Sequence, residues 1–168
     1  MSFKNGWHVL YVKSRCERKV YQSLQNISLE SFLPQVKDVR QWSDRKKIIL
    51  KPLFPSYLFV KINSALDLYK VLSINGACDY IRFGNEYALV TEKEINQIKI
   101  LLDNFQDVKI LEDNLDIKQK RKINSGLFSG YECEIINYKG KDKIIVIIES
   151  LKLNIVAELN SIDLLQNY

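Results

Sequence analysis

The stretch of sequence that decides the fold is Lys51-Pro52-Leu53-Phe54-Pro55-Ser56-Tyr57-Leu58-Phe59-Val60-Lys61. Pro55 lacks a backbone N–H and has a fixed φ, so it suits the start of a strand and not its centre. From Ser56 onward, aromatic and β-branched side chains predict a strand that is buried or half-buried. The segment therefore predicts a sheet strand whose start is rich in aromatic side chains.

The sequence on either side predicts an α+β domain over residues 1–104. Strands are predicted at Trp7–Val12, at Ser31–Val39, at Ile48–Lys61 with interruptions at the two prolines, and at Tyr80–Phe83; helices are predicted at Arg15–Leu24, at Ala65–Leu72 and from Thr91 onward. Ser14 and Thr91 are candidate N-caps, and Glu94 stands at the capping-box position. Such an order predicts helices packed on an antiparallel sheet.

The last third of the chain has a different pattern. Residues 105–119 are polar and acidic and predict a linker, with a strand at Val108–Leu111 as the alternative. Residues 120–168 contain four short strand-like runs, at 120–123, 131–138, 143–148 and 154–159, with no room for helices between them. Short strands at close spacing predict a small β-barrel or sandwich.

Composition excludes several classes of protein. No apolar run approaches the roughly 20 residues of a membrane-spanning helix, and Met1–Gly6 has no signal-peptide pattern, so we expect a cytoplasmic protein without a membrane partner. Cys16, Cys78 and Cys133 are far apart and form no metal-binding or disulfide pattern. With one histidine and no nucleophile or phosphate-binding motif, we predict no enzyme, no cofactor and no metal.

The positive charge is concentrated in the first third of the chain. Residues 1–61 contain 12 Lys and Arg against 4 Asp and Glu, whereas the whole chain has a net charge of +5. Clustered cations attract phosphates, so this part predicts a nucleic-acid contact. Charge alone leaves open a solvated basic face without a partner.

Several motifs together resemble the NusG family of transcription elongation factors. They are Trp7-His8-Val9-Leu10-Tyr11-Val12-Lys13, the Phe-Pro-Ser-Tyr stretch quoted above, Tyr80-Ile81-Arg82-Phe83-Gly84, and the KOW-like pattern of Gly126, Phe128 and Gly130. The residues of these motifs are closer to those of the RfaH and UpxY regulators than to those of housekeeping NusG. The resemblance implies a NusG-type amino-terminal domain, a linker over 105–119 and a KOW (SH3-like) barrel over 120–168.

The resemblance also implies a function. Members of this kind dock on the clamp helices of the largest RNA polymerase subunit and suppress pausing and termination, in specialised members at operons such as those for capsular polysaccharide. Two alternatives stay open: a housekeeping NusG-like factor, and a KOW-containing nucleic-acid- or ribosome-binding protein without a polymerase role.

Matched residue by residue, the resemblance assigns two surfaces in the first domain. The polymerase-binding surface falls on Tyr11, Phe54, Pro55, Tyr57 and Phe59. Phe59 is equally compatible with a core position, whereas an interface is favoured for Phe54 and Tyr57. The surface for the non-template DNA strand falls on Lys13, Arg15, Arg18, Lys19 and Arg82, with Trp7, Tyr11 and Tyr21 as candidate stacking surfaces. The basic loop Arg45–Lys47 is interpreted as a solvated hairpin tip, with nucleic-acid binding as the alternative.

The resemblance implies that the KOW-like domain contacts ribosomal protein S10 or Rho. In RfaH this domain also adopts a helical state. The β-branched run Ile144–Ile148 has poor helix propensity, so we predict a stable barrel and no helical state here.

Overall fold

The computed structural model describes residues 4–41, 45–111, 121–122, 132–138 and 141–158. The chain divides into two compact units, Met1–Glu92 and Lys93–Tyr168. The third helix begins at Glu92, at the boundary between the two units, and the predicted domain boundary at residue 104 stays a prediction.

The first unit is built on a five-stranded sheet with the strand order β2-β5-β1-β6, in which β9 also pairs with β1. In chain order its elements are β1 (Gly6–Val12), α1 (Glu17–Asn26), β2 (Ser31–Phe32), β3 (Gln35–Gln41), β4 (Lys46–Pro52), β5 (Tyr57–Ile62), α2 (Ala65–Leu72), β6 (Ala77–Tyr80), β7 (Arg82–Phe83), β8 (Glu86–Tyr87) and β9 (Leu89–Val90). All pairs in the sheet are antiparallel. β1 is central, because β5 pairs with it on one side and β6 and β9 on the other.

One face of this sheet packs against the two helices of the first unit. The core there combines alternate residues of β1 and β5 with the apolar residues of α1 and α2: Leu10, Val12, Leu58, Val60, Ile62, Val20, Leu24, Leu68 and Val71. Val20 and Leu24 are the two apolar positions, four residues apart, that predict α1. α2 begins at a cap that the sequence analysis missed, since the Ser64 hydroxyl accepts a hydrogen bond from the Asp67 N–H at 3.2 Å.

The start of α1 differs from the prediction. The helix begins at Glu17 and not at Arg15, because Arg15 has a φ of 65°, outside the helical region. A turn closed by the bond from the Cys16 N–H to the Lys13 carbonyl, at 2.9 Å, precedes it. Cys16 is the N-cap and makes no side-chain capping bond, so the prediction of a Ser14 cap was wrong.

Two antiparallel ribbons lie outside the main sheet. β3 pairs with β4 from Gln35 opposite Pro52 to Gln41 opposite Lys46, and β7 pairs with β8. The predicted strand Ile48–Lys61 is thus two strands, β4 and β5, which belong to different sheets. Pro52 is the last residue of β4, and the residues between the two strands contain a turn at Pro55.

The second unit contains α3 (Glu92–Asn104), which starts at the unit boundary, and a second five-stranded sheet. Its strands are β10 (Gln106–Ile110), β11 (Arg121–Lys122), β12 (Glu132–Tyr138), β13 (Lys141–Ile148) and β14 (Leu153–Glu158), in the order β10-β14-β13-β12-β11. The four predicted strand runs are present. Within the residues predicted as a linker, the strand alternative is present as β10, which pairs with β14 through Lys109 opposite Val156 and Ile110 opposite Ile155.

The remainder of the linker and the KOW motif residues Gly126, Phe128 and Gly130 lie outside the described residues. Closure of the second sheet into a KOW barrel therefore stays a prediction. Ile144–Ile148 is extended, within β13.

α3 has the predicted apolar face, with Ile95, Ile98 and Leu101 buried. Its Glu94 carboxylate accepts a hydrogen bond from the Ser150 N–H at 2.9 Å, which ties the helix to the turn between β13 and β14. None of the helices in the described part of the chain combines the length and the hydropathy that spanning a bilayer requires.

Candidate functional site

A tight turn at Pro55 lies between β4 and β5. The Tyr57 N–H donates to the Phe54 carbonyl at 3.1 Å, so Pro55 and Ser56 are the two central residues of a β-turn. Proline suits the first central position, and the φ of +66° at Ser56 is the signature of a type II turn, which normally carries glycine there. The strand therefore starts at Tyr57 and not at Ser56.

The backbone of Ser56 is held from both sides. Its N–H donates to the Glu17 carboxylate at 2.9 Å, and its carbonyl accepts from the Val12 N–H at 2.8 Å. Glu17 lies in the first turn of α1 and is only 7% exposed. A non-glycine residue in the left-handed region is strained by about 1–3 kcal/mol and persists only where its surroundings determine it. These two bonds supply that determination.

Sequence reasoning missed the role of Glu17. An acidic residue in the first turn of a helix is normally explained by the helix dipole. Its hydrogen bond to Ser56 joins residues 39 positions apart in the chain, and no local sequence pattern links a carboxylate to a Pro-Ser turn at that distance.

Tyr11 and Tyr57 form an accessible aromatic pair beside this turn. They are directly opposite in the register of β1 and β5, and their ring centroids are 5.8 Å apart at a tilt of 53°. Tyr11 is 42% exposed, Tyr57 is half-buried and Pro55 is exposed. We call these three residues the tyrosine surface.

Phe54 and Phe59, the other two residues predicted for this surface, are buried. They are 2% and 0% exposed and meet edge to face with centroids 5.6 Å apart. Phe59 lies within β5, opposite Val9 on one side and Phe32 on the other, and its ring stacks on that of Phe32 with centroids 6.1 Å apart. The expectation that Phe54 offers its ring directly to a partner does not fit this burial. Phe54 closes the turn before Tyr57 through its carbonyl, and Phe59 follows Tyr57 by two residues on the same face of β5.

Four predicted DNA-binding cations lie close together in the chain and are all exposed. They are Lys13, Arg15, Arg18 and Lys19, in the turn before α1 and in its first residues. The Lys13 N–H donates to the Gly76 carbonyl at 2.9 Å, which fixes the end of β1 to the turn before β6. We call these four residues the basic cluster.

Of the three candidate stacking residues, Trp7 is excluded by its burial. It is 2% exposed, its indole N–H donates to the Glu92 carboxylate at 2.6 Å, and the Lys61 ammonium lies 5.7 Å from its ring. Tyr11 is exposed and Tyr21 is half-buried, so these two rings are accessible to a base.

Arg82, the fifth predicted DNA contact, is engaged within the protein. Its guanidinium lies 3.5 Å from the Asp79 carboxylate and 4.8 Å from the centroid of the Tyr87 ring. An arginine stacked on a tyrosine and paired with a carboxylate is well positioned for a structural role.

His8 is fully buried on β1. Its Nε2 lies 3.0 Å from the Lys4 carbonyl, and its ring meets Tyr80 and Tyr87 edge to face at centroid distances of 5.5 and 5.4 Å. Burial lowers the pKa of His8 and raises that of the Tyr80 hydroxyl. The described residues contain no group of three or more His, Cys, Asp or Glu that could hold a metal ion.

Comparison with known proteins identifies the family and supports the fold. The family described as "Transcription termination factor nusG" matches residues 5–99, more than half of the chain. A structure of Thermotoga maritima NusG, described by its domain interaction, is 21% identical, with 95% of this chain and 96% of that chain covered and a TM-score of 0.50. Conformations A and B of the MjSpt4:Spt5 complex are 11% and 12% identical. They cover 91% and 92% of this chain and 99% of their own, with TM-scores of 0.32 and 0.33. The first likeness supports the fold, and the other two are too distant to add to it.

Proposed function

Because the chain belongs to the NusG family, we propose that it is a transcription elongation factor that docks on the clamp helices of RNA polymerase and suppresses pausing and termination. The observation that carries this proposal is the tyrosine surface, an accessible aromatic pair next to a turn whose backbone is fixed by Glu17.

The tyrosine surface has the physical properties of a protein-docking site. Tyrosine supplies a large contact area with few torsions to immobilise, and its hydroxyl adds a polar contact. A partner helix that lies across such a surface is a common recognition mode. Phe54 and Phe59 contribute indirectly, because their burial keeps β5 and the turn in place.

The basic cluster supports a second contact of the same complex, with the non-template DNA strand. Exposed cations bind the phosphates of a single strand, and nearby aromatic rings stack on its bases. Tyr11 of the tyrosine surface and Lys13 of the basic cluster are only two residues apart, so the two contacts adjoin in sequence. Arg82 contributes less to this contact, since Asp79 and Tyr87 already engage it.

The finer assignment is an operon-specific antiterminator of the RfaH and UpxY kind, acting in the cytoplasm. The residues of the Phe-Pro-Ser-Tyr stretch support this assignment. In such a factor the second unit would recruit ribosomal protein S10 or Rho. Neighbouring polysaccharide genes would support this assignment over a housekeeping role.

Binding to a reconstituted RNA polymerase elongation complex tests the proposal. Tyr57→Asp should weaken binding at least about tenfold, because central aromatic residues of interfaces contribute about 2 kcal/mol or more. Ile27→Asp is the control, since Ile27 is 47% exposed at the C-cap of α1, the opposite end of that helix from Glu17, which contacts the turn. Equal binding by wild type and Tyr57→Asp would contradict the docking role.

The basic cluster keeps one alternative function in view, a nucleic-acid-binding protein without a polymerase role. It predicts no binding of the wild type to the elongation complex. This alternative also predicts binding to single-stranded nucleic acid that weakens steeply with salt concentration. The double variant Arg18→Gln/Lys19→Gln should lose this binding.

A further inference from the structure

The ribbon formed by β3 and β4 has one open apolar face. Val39 lies opposite Ile48, and Leu50 follows two residues along the same strand, so the three side chains share a face. They are 62%, 65% and 55% exposed. Scattered exposed aliphatic residues are common, but three adjoining ones on a single narrow ribbon form a patch of the kind that marks interaction sites.

Cations flank this apolar face at both ends. Lys46 precedes Ile48 by two residues on the same face, and Lys37 lies opposite Leu50. Both lysines are exposed. Over residues 35–52 the chain has six Lys and Arg against two Asp. One of the two carboxylates, Asp38, pairs with Lys51 at 3.6 Å, which involves the other face of the ribbon.

We propose that this face docks an amphipathic helix of a partner protein, with apolar residues at its centre and carboxylates at both ends. An apolar centre within a charged rim is the anatomy of a protein interface, and the positive rim selects a negative partner. A nucleic acid would use the cations, but it has little use for three aliphatic side chains between them. A second copy of the chain is disfavoured, because two such ribbons repel each other.

The spacing of the lysines sets the spacing of the carboxylates. At a strand rise of about 3.3 Å per residue, the levels of Lys46 and Leu50 are about 13 Å apart. A helix rises about 1.5 Å and turns about 100° per residue, so carboxylates about eight residues apart match this separation and lie about 80° apart around the helix, within the width of one amphipathic face. The partner segment therefore has two acidic residues just over two turns apart and leucine-like residues between them.

The test is fluorescence anisotropy with the full chain and a synthetic helical peptide of this pattern. A second peptide, with both glutamates replaced by lysines, serves as the charge control. We expect the acidic peptide to bind at least about tenfold more tightly, because like charges on facing surfaces oppose association. Lys46→Glu should weaken its binding about tenfold, whereas Lys109→Glu, the same change at an exposed residue of β10, should alter binding less than about twofold.

The apolar contribution is measured separately. Ile48→Ser should weaken binding of the acidic peptide about tenfold, in line with the loss of one buried aliphatic side chain. Leu50→Ser is the second variant, should Ile48→Ser disturb folding of the ribbon.

Four results would overturn the proposal. They are no binding of the acidic peptide at about 1 mM, equal binding of both peptides, binding of a short DNA duplex that is lost in Ile48→Ser, and dimerisation of the chain that Ile48→Ser abolishes. None of them depends on whether the tyrosine surface binds polymerase, since these assays contain no polymerase.

Discussion

Replacing Glu17 with alanine is expected to loosen the turn at Pro55 and Ser56 while the sheet remains folded. The carboxylate is the acceptor for the Ser56 N–H, and Ser56 has a φ of +66°. Without the acceptor, the strained backbone loses one of the two bonds that hold it. Tyr57, the next residue, then loses its fixed position opposite Tyr11.

The size of the effect follows from the hydrogen bond. A bond to a charged group contributes about 1.5–3 kcal/mol to stability. Ser56 is half-buried, so water satisfies part of the freed N–H, and we expect the lower part of that range, about 1.5–2 kcal/mol. For a domain of this size each kcal/mol shifts the Tm by about 4–8 °C, which gives a fall of about 6–16 °C.

Two further variants separate the bond from the strain. Glu17→Gln keeps an acceptor oxygen and should lose less than half as much stability as Glu17→Ala. Ser56→Gly in the Glu17→Ala background removes a cost of about 1–2 kcal/mol for a side chain at positive φ, and about 0.5–1 kcal/mol of that gain is offset by the greater freedom of the unfolded chain. The double variant should therefore recover about 0.5–1 kcal/mol relative to Glu17→Ala.

Thermal unfolding followed by circular dichroism measures the stability, and hydrogen exchange of the Ser56 amide reports on the turn itself. The local probe is needed because the two units need not unfold together. The reasoning would be refuted if Glu17→Gln lost as much stability as Glu17→Ala, or if the double variant were no more stable than Glu17→Ala.

Two more predictions concern stability. Gly76→Ala should cost about 2–4 kcal/mol, because φ is +104° and a Cβ would lie 3.0 Å from Val20 Cγ2 and 3.2 Å from Cys16 Cβ. Gly84→Ala, with a φ of +63° and nothing within 4 Å of its Cβ, should cost only about 1–2 kcal/mol in the same urea unfolding experiment; equal costs would contradict the packing argument. Because burial lowers the pKa of His8, the unfolded chain takes up this proton at higher pH than the folded chain does, so stability should fall as the pH drops below about 6.5. His8→Phe should flatten this slope between about pH 7 and pH 5, and an unchanged slope would show that His8 is not its source.

The parts of the fold that the sequence predicts are those with a local pattern. Trp7–Val12 is recognisable as a strand, and the apolar positions of α1 and α3 are recognisable as helix faces, because each depends on residues a few positions apart. The split of the predicted strand at Ile48–Lys61 was only partly visible, through its prolines. The polar composition around β10 predicts a linker and leaves only the alternative of a strand, because Gln106–Ile110 becomes a strand by pairing with β14 far along the chain.

The candidate site was harder to predict, because its decisive features are a backbone conformation and a long-range bond. A positive φ is expected at glycine or asparagine, and Ser56 gives no such signal. The burial of Phe54 and Phe59, in contrast to the accessibility of Tyr57, also depends on tertiary contacts such as that of Phe59 with Phe32 of β2. A residue-by-residue resemblance names all of these positions, but it does not say which of them reach a partner.

The way the tyrosine surface is held bears directly on how tightly it can bind. A side chain that is immobilised only on binding reduces affinity by about 0.5–1.5 kcal/mol. Tyr57 follows a turn closed at Phe54 and held at Ser56 by both Glu17 and Val12, so much of that cost is met during folding. Glu17 should therefore affect polymerase binding without touching polymerase. We expect Glu17→Ala to bind the elongation complex more weakly than wild type, by more than the loss of folded protein explains. Glu17→Gln should bind almost as tightly as wild type. If Glu17→Ala bound the elongation complex as tightly as the wild type at a temperature where both are folded, the turn would be a structural feature only, and the accessibility of the two rings would by itself have to account for docking.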